Sequence, residues 1–174
     1  MADTVAAQVT LSVSARKTKD LDLSDPVDSI AKAKRHSLTT LGAGALAYNQ
    51  QWADSRTLAA ASNDDMDLAG SLTDAFGASV ALVRFKVLGI WSTNANTADT
   101  HLSIGAAASN PLADLFAATP DILKAPRSGG SILIAAADAT GYPVAAGSAD
   151  ALRVTNASAG TAATFDIVIL GATS

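Results

Sequence analysis

The fold is decided by Ala151-Leu-Arg-Val-Thr-Asn156, followed by Ala-Ser-Ala-Gly160 and then by Thr164-Phe-Asp-Ile-Val-Ile-Leu170. In the second run Phe165, Ile167 and Ile169 alternate with Asp166, Val168 and Leu170. Successive strand side chains point to opposite faces, so this spacing predicts a strand. Val168 and Leu170 make the second face apolar as well, which places the strand inside the structure or at an interface. Ala151–Asn156 reads as a shorter strand, and the small residues between the two runs read as a hairpin turn.

Working outward, Ser131-Ile-Leu-Ile-Ala135 reads as a buried strand after Gly129-Gly130, and Asp138-Ala-Thr-Gly-Tyr-Pro143 as a turn. Ser79–Trp91 is the strongest internal strand. Val80, Leu82, Arg84, Lys86, Leu88 and Ile90 alternate there with Ala81, Val83, Phe85, Val87 and Trp91. Arg84 and Lys86 mark its wet face, and Gly89 is expected to bulge. Leu72 and Phe76 read as apolar anchors among turn residues. Leu46, Tyr48, Gln50 and Trp52 recur at spacing two, as in a half-buried strand, and Met66–Leu68 adds a strand piece. Asn110–Phe116 holds one helical turn after Pro111, and Pro120–Pro126 reads as loop. Phe85, Val87, Leu133, Phe165, Ile167 and Ile169 are expected to pack together across two sheets.

The N-terminal part is less regular. Val5–Ala15 alternates apolar and polar residues as a half-buried strand does. Val27–Lys34 reads either as one or two helical turns with Asp25 near the N-cap, or as an extended crossing. Residues 1–44 are therefore expected to form an arm with the first strand or strands, packing on the core or on a neighbour, and 45–174 the core domain. About eight short strands suit an all-β, single-domain sandwich or jelly roll with an extended N-terminal arm.

Composition agrees. All sixteen acidic residues are Asp, which favours turns and caps, and there is no Glu. Of the 174 residues 39 are Ala and only 5 % are aromatic, so the core has little bulk per residue. Charged residues are 16 %, few for a surface facing only water, which admits an Ala/Ser/Thr surface or one covered by partners. The net charge of −4 argues against nucleic acid as the main partner. It is uneven: residues 1–36 carry +1 and residues 37–174 carry −5. The absence of Cys excludes disulfides and thiolate chemistry. Residues 1–20 lack a signal-peptide core, and no run of about 18 apolar residues could cross a membrane as a helix.

Candidate chemistry is sparse. His36 and His101 have no metal-binding spacing, and both read as ordinary polar residues. No serine sits in a G-x-S-x-G elbow; Ser128-Gly-Gly130 is a turn, and Gly42-Ala-Gly44 lacks the Gly-Lys-Thr of a phosphate loop. Asn63-Asp64-Asp65 with Asp67 is the densest acidic patch and could hold Ca²⁺, although a solvated turn fits better without a terminal Glu. Asp138 and Asp150 receive the same reading. Tyr48, Trp52, Trp91 and Tyr142 are the only aromatics wide enough for a sugar platform. No nucleophile, base and acid can be assembled, so catalytic, cofactor and metal residues are all expected to be none.

Trp52-Ala-Asp-Ser-Arg-Thr-Leu-Ala-Ala60, Asp67-Leu-Ala-Gly-Ser-Leu-Thr-Asp-Ala-Phe-Gly77, Asp138-Ala-Thr-Gly-Tyr-Pro-Val144, Asp150-Ala-Leu-Arg-Val-Thr-Asn156 and Thr164-Phe-Asp-Ile-Val-Ile169 occur in an order with a parallel elsewhere. It resembles a family of small virion structural proteins of tailed bacteriophages and prophages, over about residues 45–171. The resemblance implies a non-enzymatic virion component, best a capsid decoration (cement) protein on the outer surface of the head, made in the host bacterial cytoplasm. It implies the major capsid protein as partner. A homo-oligomer is expected beside it, a trimer before a dimer. A tail- or fibre-associated protein and a carbohydrate-binding β-sandwich module are the alternatives.

Overall fold

A computed structural model describes residues 4–20, 22–24, 26–93, 102–116, 122–124 and 129–174. Those residues form strands and turns, with no helix among them. The alternation that opens the sequence reading builds the central strand, β15 (Ala163–Ala172). It pairs antiparallel on one side with β9 (Arg84–Ser92) and on the other with β5 (Gln50–Leu58). β12 (Ser131–Ala135) completes the order β12-β9-β15-β5, and β13 (Tyr142–Pro143) also pairs with β9. The second main sheet has the order β11-β10-β14-β6, from Ile122–Lys124, Leu102–Ala106, Ala151–Asn156 and Asn63–Asp67. β7 (Leu72–Thr73) with β8 (Ser79–Val80), and β3 (Thr40–Leu41) with β4 (Ala47–Tyr48), form two small pairs.

The two main sheets face each other as a sandwich. Phe165, Ile167, Ile169, Leu88, Ile90 and Trp52 of the first pack against Met66, Leu102, Ile104, Leu152 and Val154 of the second. Arg56 closes the open side. Its guanidinium bonds Asp64 of β6 and, at 3.0 Å, Asp54, and lies 5.0 Å from the centre of the Trp52 ring. Burial alone would lower the guanidinium's pKa, but the two carboxylates outweigh it and raise it.

Several expectations change. Ala151–Asn156 and Ala163–Ala172 are not a hairpin, because they belong to different sheets. The link between them is an arch tied down by buried Asn156. Its amide donates to the carbonyls of Leu58, Ala59 and Thr161 and accepts from the Ser158 amide. The expected six-residue cluster also divides. Phe85, Phe165, Ile167 and Ile169 lie in the inter-sheet core, whereas Val87 and Leu133 lie on the opposite face of the five-stranded sheet. Tyr48 and Trp52 divide likewise, since Leu46 takes a positive φ of 53° and Asn49 interrupts the alternation.

The bulge falls at Lys86, not Gly89. Phe85 pairs with Gly171 and Val87 with Leu170, so Lys86 is the extra residue. The slip puts Phe85, Leu88 and Ile90 into one core and buries Lys86 completely, instead of leaving it on a wet face. Its Nζ donates to the Asp138 carbonyl. Burial pushes the ammonium's pKa down; Arg84 adds to this and Asp138 opposes it. Phe76, expected as an anchor, is 88 % exposed, while Leu72 is buried. Residues 110–116 form a turn in which the Phe116 amide donates to Leu112 at 2.9 Å, without a helix. Ile122–Lys124, expected in a loop, is an edge strand; Asp25, His101, Ser128, Pro120 and Pro126 lie outside the described residues.

The largest departure is N-terminal. Val27–Lys34 is not helical but extended, as the alternative had it, and it does not run alone: it belongs to β2 (Val27–Leu38), which pairs over twelve residues with β1 (Ala7–Thr18). The pair forms its own two-stranded sheet. Val9 and Leu38 are buried at its base, whereas Leu11 to Thr18 and Val27 to Arg35 are exposed. At about 3.3 Å per residue, the part beyond Val9 extends roughly 30 Å as a bare ribbon.

Candidate interaction surface

Cross-strand register sorts the ribbon into two faces. Val9, Leu11, Val13 and Ala15 stand opposite His36, Lys34, Lys32 and Ile30 on one. Thr10, Ser12, Ser14 and Arg16 stand opposite Arg35, Ala33, Ala31 and Ser29 on the other. The first face is therefore an apolar stripe edged by two lysines. Val13 and Ile30 are 65 % and 52 % exposed, so the stripe has no cover along most of its length. A two-stranded ribbon in water is marginal by itself, and an uncovered apolar stripe calls for a partner.

The ribbon starts on the outer face of the five-stranded sheet. Val9 and Leu38 pack with Tyr48, Val87 and Leu170 there. Residues 4–6 line a cleft with Gln50, Gln51, Asp74 and Phe76 beside edge strand β5. Thr10–Val13 line one with Ser131 and Leu133 on β12. The ribbon thus crosses the sheet from β5 towards β12 and runs on past that edge.

Beside this crossing, two rows of the outer face stay partly open. One contains Ser131, Trp91, Asp166 and Ser55; the other contains Leu133, Gly89, Val168 and Ala53. Gly89 seats the Trp91 ring, which lies only 2.2 Å from where a Cβ would stand. Trp91 is 38 % exposed, and with Leu133, Val168 and Ala53 it forms a low, partly apolar trough edged by Ser131, Asp166 and Ser55. Its β5 end leads into a groove bordered by Gln51–Asp54, Thr73–Phe76, Val168 and Leu170. Phe76 stands there on a fixed turn: the Asp74 carboxylate accepts the Phe76 and Ala78 amides at 2.9 and 2.8 Å.

Charge separates the two surfaces. Residues 7–38 hold six Lys/Arg and four Asp, a net +2, whereas residues 39–174 hold six and eleven, a net −5. The open rows contain no cation, and Asp166 has no ionic partner among the described residues.

The other singled-out residues are structural. Asn63–Asp67 is strand β6 rather than a solvated turn. Its Asp64 bonds Arg56, and Asp65 takes both Nε and Nη2 of Arg153 at 2.6 Å, which raises the Arg153 pKa. No group of three or more potential metal ligands occurs among the described residues. Asp138 accepts the Gly141 amide at 2.7 Å, a bond that lowers its pKa, and buried Asp150 accepts the Gly147 amide. His36 lies on the ribbon. Tyr48 and Trp52 are buried, and Tyr142 stacks on Phe85 at 4.8 Å, so the four wide aromatics do not form one platform. Sequence reasoning missed the ribbon and the trough, although the alternation of Val5–Ala15 was its visible half. Comparison with family models, curated proteins and solved structures returns no match.

Proposed function

We propose that this chain is a structural, non-enzymatic virion protein of a tailed phage, a capsid decoration (cement) protein that binds the outside of the head and stabilises it. The observation that carries this reading is a compact sandwich bearing a projecting, partly apolar ribbon. Such a ribbon spans a gap between neighbours and offers backbone and side chains to them. The major capsid protein is the main partner, and further copies of the chain, most simply as a trimer, are the second. Closed rotational symmetry satisfies a self-associating patch without runaway growth and suits a symmetric shell. Deep pockets with convergent polar groups play no part in this reading.

The test is to image virions carrying the labelled protein. Several hundred copies spread over the head support the proposal. A ring or tip on the tail supports a tail protein instead. Binding of the isolated protein to glycans, without virion incorporation, supports a carbohydrate-binding module.

A further inference from the structure

We infer that the ribbon of one copy docks on the outer trough of a second copy's five-stranded sheet. The inference rests on the self-association in the proposed function and names the surfaces that meet. Three observations on different parts of the molecule carry it.

The first is shape. The apolar stripe starts at the cleft that Leu11 and Val13 share with Ser131 and Leu133 of β12, and it continues uncovered through Ile30 beyond that edge. The open rows around Trp91, Val168 and Ala53 lie next to the path that the resident ribbon already takes. An incoming ribbon therefore runs alongside the resident one over the same kind of apolar sheet face. The second is charge. Lys32 and Lys34 flank the stripe; on the acceptor the resident copies of these lysines stand only at the Ser131–Leu133 end, whereas the middle of the rows carries Asp166 and no cation, and Asp74 stands at the groove's end. Opposite charges at the rim orient such a contact and discourage the reverse pairing of ribbon on ribbon, where lysines would meet. The third is the exposed Phe76, held by Asp74 at the end of the groove, where it forms a stop for an incoming strand.

The contact is modest in size. A ribbon about 30 Å long and about 10 Å wide buries roughly 300 Å² on each side, or roughly 600 Å² in total. A standard stable interface buries about 1,200 Å² or more. In a closed ring each copy gives one ribbon and receives one, so it takes part in two such contacts. Association in solution is accordingly reversible and concentration-dependent, and it strengthens when a shell holds copies side by side.

The cysteine-free chain allows a direct test. Val13→Cys chains are mixed with Ala53→Cys chains under oxidising conditions; both positions are exposed, and circular dichroism confirms folding. The expected result is a crosslink between unlike chains that grows with concentration. Lys32→Asp with Lys34→Asp on the ribbon chain should lower the yield roughly tenfold, and Asp166→Lys on the acceptor should restore it. Crosslinks only between two Val13→Cys chains would show ribbon-on-ribbon pairing and overturn the inference. So would no interchain crosslink at any concentration, or a yield indifferent to charge reversal. The mixture contains no capsid, so a protein that crosslinks as expected but never decorates heads defeats the virion reading and leaves this one standing.

Discussion

Gly89 and Gly171 accept the same substitution with opposite signatures. A Cβ at Gly89 would stand 2.2 and 2.6 Å from two ring carbons of Trp91. Ordinary carbon contacts lie near 3.5–4.0 Å, so in Gly89→Ala the ring must leave. Trp91 sits at the surface, so it can swing outward. If about 100 Å² of ring cover is lost, the cost is about 2.5 kcal/mol. Replacing a strand glycine returns roughly 0.5–1 kcal/mol of backbone entropy. The expected net destabilisation is about 1.5–2 kcal/mol. At Gly171 the same Cβ would lie 2.4 Å from the Arg84 carbonyl oxygen and 2.9 Å from Leu82. That oxygen belongs to the strand beside the Lys86 bulge, so the backbone itself must shift, at about 3 kcal/mol or more. Urea denaturation measures both stabilities, and tryptophan emission separates the causes. Gly89→Ala should move emission to the red, because Trp91 becomes wet while buried Trp52 stays constant; Gly171→Ala should not. An unchanged Gly89→Ala spectrum, or a Gly171→Ala variant more stable than Gly89→Ala, would refute the reasoning.

Three more outcomes follow from the core, the arch and a turn. Phe165→Ala, at a fully buried position, should cost about 3–5 kcal/mol, and an unchanged melting temperature would contradict the place of β15. Asn156→Ala strips hydrogen-bond donors from three carbonyls in the arch and should cost about 2–4 kcal/mol in chemical denaturation; a loss under 0.5 kcal/mol would show that water replaces the amide easily. Asp138 has its pKa lowered in the fold, so its contribution is present above the ordinary carboxylate range and is lost as pH falls through that range and below. Melting curves against pH should therefore fall less steeply on the acid side for Asp138→Asn than for the parent, and parallel curves would remove Asp138 from the account.

The two faces of β15 were legible because Phe165 to Leu170 alternates without interruption and pairs on both edges. The Asp138–Gly141 turn was legible for a similar local reason: an Asp and a Gly stand three residues apart, and Gly141 holds a φ of 62° that few other residues adopt. What local pattern could not show is which strand joins which sheet. Ala157–Ala162 could close a hairpin or an arch, and the choice is made by Asn156 bonding to Leu58 and Ala59, almost a hundred residues away. Val27–Lys34 reads as helical turns after an Asp25 N-cap or as an extended crossing, and twelve cross-strand pairs between β1 and β2 decide for the extended form. The Lys86 bulge was hidden for the same reason, since a register slip is a property of two strands. Of the interaction surface, the alternation of Leu11 and Val13 was visible, but the matching trough is assembled from four separate strands.

The position of β15 governs the order in which this molecule can fold. β9 and β5 do not pair with each other; both pair with β15, which follows them in the chain. Until residues 163–172 have been synthesised and have left the ribosome, the five-stranded sheet lacks its middle and Trp52, Leu88 and Ile90 have no common layer to join. The Asn49 side chain meets Thr173 at a sequence separation of 124, so the closing steps carry a large loop entropy. The ribbon is the opposite case, since its twelve pairs lie within residues 7–38. A nascent chain can therefore present a zippered ribbon while the body is still open, and dilution of the emerging chains, or a chaperone on the ribbon's apolar stripe, would guard against premature contact between copies.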